Sequence, residues 1–119
     1  MKTVINSGIK DEVMLLTITR GVEVVDINTI VRIEASSNYS KLYFTNGQKL
    51  MSSKILRWFE EQLPSHSFVR IHRTHLVNKK FISSYVYGSA KIGLSNGEWI
   101  QVSRRRKEDF LKCWYNTAA

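Results

Sequence analysis

The sequence predicts a mainly β domain with one or two short helices. Short runs rich in Val, Ile, Thr, Tyr and Phe recur along the chain, the residue types that fit a pleated, half-buried surface. Two Asn-Gly pairs, Asn46-Gly47 and Asn96-Gly97, each stand between two such runs, a strong short-range hairpin signal. Strands do not alternate with helical segments in the βαβ order of a parallel sheet.

Taken in order, residues 1–12 show no clear period and read as a linker or tail. Residues 13–19 and 22–26 form two strands around a turn at Arg20-Gly21. Residues 30–35 alternate apolar with charged side chains, as a half-buried strand does. A polar loop over 36–40 leads to strands 41–45 and 48–51, with both Asn46 and Gly47 expected at positive φ. Ser52 or Ser53 is placed to cap a helix whose Ile55, Leu56, Phe59 and Leu63 share one face, and Pro64 stops it. Strands return at 68–71, 82–87, 91–94 and 99–102. Ser103 then caps a final helix that turns Phe110, Leu111 and Trp114 inward. Eight or nine strands are expected within one domain over 13–115, followed by a tail at 116–119. No internal repeat is visible.

Composition fits one globular domain: 119 residues, 43% hydrophobic and 24% charged. No apolar run reaches the roughly 18 residues of a membrane span, and no signal peptide opens the chain. Cys113 is the single cysteine, so no internal disulfide is expected and a reducing cytoplasm is the expected compartment. The net charge of +8 is unevenly spread. Residues 1–61 hold eight Lys/Arg against seven Asp/Glu, and residues 62–119 hold ten against three. Such a field attracts polyanions, although a basic balance also serves solubility.

Signals for catalysis are thin, and no enzyme activity or cofactor is expected. No phosphate-cradling glycine loop, HExxH or paired CxxC occurs. His66, His72, His75 and Cys113 do not match a common zinc spacing. If one strand ran through them, His72 and His75 would lie on opposite faces. A nuclease built on His72, His75 and Asn78 lacks a metal-binding carboxylate, since residues 62–97 contain no Asp or Glu.

Nucleic acid suits the polar segments better. Arg104, Arg105, Arg106 and Lys107 open a helix directly after a strand, so several cations fan out from one turn; a solvated charge run is the plainer alternative. Arg70 and His72 should share one side of a strand with Arg73 on the other. Residues 36–41 offer hydroxyls, an amide, a phenol and a cation, a mix that suits phosphate oxygens and base edges. Asn38 could equally be a turn former and Tyr39 a packing residue. RNA or single strands are the alternative ligand, with Tyr39, Tyr43, Tyr85 and Tyr87 as stacking rings.

The order Ile33-Glu-Ala-Ser-Ser-Asn-Tyr39, then Phe68-Val-Arg-Ile-His-Arg-Thr-His-Leu-Val-Asn78, then Ser95-Asn-Gly97 and Val102-Ser-Arg-Arg105 resembles the LytTR family of DNA-binding domains over roughly residues 13–113. The resemblance implies an elongated domain of packed antiparallel sheets whose loops read successive major grooves of duplex DNA. It places Asn38, Tyr39 and Ser40 at the first reading loop, Arg73 at a central minor-groove position and Arg105 at the second major groove. Lys41, Arg70, His72, Ser103, Arg104 and Lys107 fall to the phosphate backbone. Two features depart from the family pattern: Gln101-Val102 stands where proline is frequent, and Ser40 where some members have a basic or imidazole side chain. The resemblance further implies two repeated half-sites, a dimer on DNA, and control by a receiver domain or a separate regulatory protein. Residues 1–12 are too few for a receiver, which leaves a domain of a longer regulator or a stand-alone regulator.

Overall fold

The structure is a computed structural model that describes residues 12–117. Ten strands form three antiparallel sheets. Strands β1 (Val13–Ile18) and β2 (Gly21–Asp26) make a two-stranded sheet. Strands β3 (Ile30–Ser36), β4 (Tyr39–Phe44) and β5 (Lys49–Ser52) join β6 (Phe68–His72) and β7 (His75–Asn78) in a five-stranded sheet of order β5-β4-β3-β7-β6. Strands β8 (Ile82–Val86), β9 (Lys91–Leu94) and β10 (Trp99–Gln101) form a three-stranded sheet. Helix α1 (Leu56–Gln62) follows β5, and α2 (Lys107–Thr117) closes the fold.

The five-stranded sheet is the middle layer, with a core on each face. On one side Met14, Leu16, Ile33, Leu42, Leu76 and Phe68 pack with Leu56 and Phe59 of α1. On the other Val31, Ile71 and Val77 meet Ile92, Leu94 and Ile100 of the small sheet and Phe110 of α2. Strand alternation supplies the two faces, and two bulges each shift it by one residue. The first lies between Ile30 and Arg32. It leaves Ile30 in the first core and Val31 in the second, and turns the next residue, Arg32, toward Glu98 of the β9–β10 hairpin. The second lies between Arg70 and His72.

No internal repeat was expected from the sequence, yet the fold is an internal duplication. Residues 13–62 and 68–117 each run hairpin, one-turn 3-10 helix, three-stranded meander, helix, the second half adding a 3-10 turn before its helix. Asp26 and Asn78 each cap the 3-10 turn by accepting from the backbone N–H two residues on. Ile27 N–H donates to Glu12 O, and its counterpart Lys79 N–H donates to Ser67 O. Thr45 N–H donates to Thr29 O as Ser95 N–H donates to Phe81 O. The bulge after Ile30 reappears after Ile82.

Both Asn-Gly hairpins use one device. Gly47 and Gly97 have φ of 86° and 93°, while neither asparagine has positive φ. Gly47 N–H donates to Phe44 O and Phe44 N–H to Gln48 O, and Leu94, Gly97 and Glu98 repeat the pair. This is a three-residue loop, a type I turn closed by a glycine bulge, so only the second position of each pair needs glycine.

Other expectations change too. Residues 75–78, not assigned to a strand from sequence, form β7 between β3 and β6. A turn at Arg73-Thr74 separates His72 from His75, which therefore pair across the ladder on the same side. Neither Ser52 nor Ser53 caps α1: the N-cap is Ile55 with no side-chain bond, and Ser52 Oγ accepts from Lys54 N–H. Ser103 does cap, but its Oγ accepts from Arg106 N–H in a 3-10 turn (Arg104–Arg106) ahead of α2. Of the tail expected over 116–119, residues 116 and 117 instead continue α2; its remainder, and residues 1–11 of the tail expected over 1–12, lie outside the described residues.

Candidate nucleic-acid interface

The β3–β4 turn, the β6–β7 turn and the C-terminal end of β5 all lie at one end of the five-stranded sheet, as the antiparallel register requires. The segment after β10 is tied to the same end. Ala35 N–H donates to Thr74 O, Ser103 N–H to Ile71 O and Val102 N–H to Ala90 O, while Ser40 Oγ donates to Lys54 O. The bonds order five elements in a row: Ser53-Lys54, Asn38-Tyr39, Arg73, Ser103–Arg105 and the β8–β9 turn over 87–90. The β1–β2 turn joins them, since Thr19 lines a shallow depression with Tyr39 and Ser53.

Most of the sequence-predicted residues meet in this row. Asn38, Tyr39, Arg73, Arg104 and Arg105 are exposed, and Lys41, His72, Ser103 and Lys107 are half-buried beside them. Among the described residues, none of Lys41, Lys54, Arg73, Arg104 and Arg105 enters an ion pair. The Arg104–Arg106 turn and Lys107 border a notch with Gly88, Ala90 and Gln101. Gln101 Nε2 donates to the carbonyls of Ser89 and Ala90 and fixes the β8–β9 turn beside the arginines.

Two residues are placed otherwise. Ser40 is fully buried, with its hydroxyl committed to Lys54 O, so it holds the reading turn to the end of β5 rather than facing outward. Arg70 points toward α1, because the bulge separates its face from that of His72. Its guanidinium pairs with Glu60 at 2.7 Å and donates to the carbonyls of His72 and Arg73. Arg70 therefore clamps the turn that presents Arg73. Lys54 and residues 88–90 were not singled out from sequence, and Ser53 and Tyr87 were named there for other roles, a helix cap and a stacking ring. Only the sheet register, which no local pattern reveals, brings them alongside.

Beneath the row lies a polar network. Arg32, almost fully buried, grips Glu98 at 2.9 and 3.1 Å and Glu34 at 2.8 Å, and its guanidinium lies 3.7 Å over the Tyr43 ring. Burial alone would lower the pKa of Arg32, but the bonds to Glu98 and Glu34 outweigh it and push the value still higher than usual. Burial disfavours the charge on Glu34 as well, yet the hydrogen bond from Arg32 holds its carboxyl below the ordinary range. The Arg32 bond holds Glu98 low more simply. Burial lowers His75, whose Nδ1 meets Thr74 Oγ1 at 3.0 Å while Nε2 stands 4.0 Å from Glu34.

Of the four tyrosines named as stacking rings, Tyr39 and Tyr87 are exposed, and the other two are engaged within the fold. Tyr43 lies under Arg32, and Tyr85 packs on Phe110 and Trp114. Among the described residues no group of three or more His, Cys, Asp and Glu side chains gathers to hold a metal ion, and no helix is long and apolar enough to cross a membrane.

Fold and surface together are those of an all-β domain with exposed cations on turns along one edge, the character of a nucleic-acid-binding module. The family model of the LytTr DNA-binding domain matches residues 20–114, and the chain belongs to that family. A solved LytTr DNA-binding domain of a methyl-accepting/DNA response regulator from Bacillus cereus superposes with a TM-score of 0.73 at 27% identity, covering 87% of this chain and 96% of that one. No protein with a curated description is similar enough in sequence to match.

Proposed function

We propose that the domain recognises a specific sequence in double-stranded DNA for a transcription regulator, reading bases with the turns at one end of its sheets. Asn38, Tyr39 and Arg105 serve as major-groove readers, and Arg73 lies between them toward the minor groove. Lys41, His72, Ser103, Arg104 and Lys107 hold phosphates, with Lys54 extending the backbone contacts on one flank. Arg70 and Ser40 shape the turns. The observation that carries this reading is the row itself: exposed, unpaired cations on hydrogen-bonded turns at one edge of the molecule. On this reading the regulator acts in the cytoplasm at two repeated half-sites, as a dimer, under a receiver domain or a separate regulatory protein.

Selection of bound sequences from a random duplex pool tests it, followed by gel shifts against duplex, single-stranded DNA and RNA. A defined motif should emerge, and affinity should fall by orders of magnitude between about 50 and 200 mM salt. Preference for single strands or RNA, or a flat salt response, would overturn the reading.

A further inference from the structure

The internal duplication supplies a template for a contact that the second half of the molecule leaves open. In the first half, the outer edge of β3 is paired: β7 of the second half adds to it, with Ile33 opposite Leu76 and Glu34 opposite His75. The counterpart of β3 is β8, and its outer edge has no partner strand among the described residues. The counterpart of β7 is β2, whose one partner strand among the described residues is β1. One half thus ends in an open acceptor edge, and the other begins with an open donor edge.

Burial follows the same logic. Leu76 is buried at 1% exposure where the two halves meet, whereas its counterpart Val24 is 64% exposed. Val22 on β2 and Val86 at the end of β8 are also among the exposed large apolar residues. The groove between β7 and the β9–β10 hairpin is crossed by Arg32 of β3, bonded to Glu98. The counterpart groove, between β2 and the β4–β5 hairpin, is an open cavity of about 280 Å³ lined by Val24, Asp26, Phe44 and Gln48. Edge strands are normally guarded by lysine, proline or inward charge. The residues of β8, Ile-Ser-Ser-Tyr-Val, include none of these, and its bulge after Ile82 is one that β3 also carries while pairing with β7.

We infer that a second copy of this chain docks head to tail, the β8 edge of one copy pairing antiparallel with the β2 edge of the next in the register that β3 and β7 use. Val24 is then covered as Leu76 is, and the next copy's groove receives the β8 strand. Two different surfaces meet, so the contact adds copies in a run rather than closing a symmetric pair. It places the β1–β2 turn, with exposed Arg20, beside the β8–β9 turn of the preceding copy. The inference does not rest on DNA recognition and is tested without DNA.

Sedimentation of the full chain over a rising concentration series should show mass growing beyond the monomer, and Val24→Lys should abolish the growth while leaving the melting temperature within a degree or two. Strand register supplies the second measurement. Glu34 faces His75 in the template, so Val86 should face Glu23 of the neighbour. In a Cys113→Ser background, Glu23→Cys with Val86→Cys should oxidise to a ladder of dimers, trimers and longer species, and either single variant should give no covalent dimer. A chain that stays monomeric at all concentrations overturns the inference. So does efficient dimerisation of a single-cysteine variant, which would mark a symmetric contact, or a double-cysteine chain that closes only on itself.

Discussion

The two halves of the domain share one path but differ in charge and in setting. Residues 13–62 hold six Lys/Arg against five Asp/Glu, and residues 68–117 hold ten against three. The first half contributes its meander to the middle sheet and leaves its hairpin apart; the second contributes its hairpin and leaves its meander apart. The backbone devices repeat (the 3-10 caps, the bulges after isoleucine, the glycine-closed hairpins), while the side chains at the shared end diverge. The first half presents an amide and a phenol on its β3–β4 turn, and the second presents three arginines after β10. The pattern separates what the path requires from what contact with a ligand requires.

The largest expected effect comes from the residue that joins the halves. Arg32→Ala leaves Glu34 and Glu98 facing each other without a cation, and should cost about 2–3 kcal/mol in urea melting. That lies below the range for a fully buried pair because both carboxylates are partly exposed. A loss under about 0.5 kcal/mol would mean the packed cores alone hold the halves together.

Next in size is the contrast between readers and clamps. Arg105→Ala should weaken the selected duplex by about 1–3 kcal/mol and flatten preference at one base position, the worth of one bidentate pair. Lys107→Ala should weaken all duplexes alike and make the salt slope shallower by about one unit. Equal loss on selected and random duplex would make Arg105 a phosphate contact.

The hairpins allow a matched comparison. Gly47→Ala and Gly97→Ala both force a side chain into the left-handed region, and an added Cβ meets open space at each. Each should cost about 1 kcal/mol in thermal melting. A difference much above a few tenths would show that the repeat extends to the trace but not to the energetics.

The smallest effect is a pH slope. Burial lowers the folded pKa of His75 from its ordinary 6.5, so the unfolded chain binds more protons in that window. Stability should therefore decline as pH falls through about 6.5 and level off below the folded value. Glu34 and Glu98 are lowered from 4.5, so their contribution is present above that value and is lost as pH falls further. His75→Gln should flatten the first decline and leave the second. An unchanged profile in His75→Gln would place the first decline elsewhere.

Much of this was legible in the chain. Strand residues alternated as they should, the Asn-Gly pairs located both hairpins, and Phe110 turned inward at helical spacing. What was hidden depends on distance or on a single extra residue. Strand β7 is four residues long and follows Arg73-Thr74, which lacks the usual turn formers. One bulge at Ile71 separates Arg70 from His72, and no local pattern announces it. Arg32 and Glu98 stand 66 residues apart in sequence. The duplication is not legible in the sequence because its halves match at few positions, chiefly the similar caps Asp26 and Asn78, the isoleucines Ile30 and Ile82, and the Asn-Gly turns. The site was half legible for the same reason: residue types named the turns, but only the register put them in a row.

That row is cross-tied by backbone bonds in which Ala35 N–H donates to Thr74 O, Ser103 N–H to Ile71 O and Val102 N–H to Ala90 O. A surface held in this way has little freedom to follow its ligand, so adjustment falls to the duplex. DNA steps that kink or compress at low energetic cost should then be favoured even where no side chain touches them. Part of the operator would be chosen by its mechanics, and a nick or mismatch that softens the helix between the outer turns should raise affinity without adding a contact.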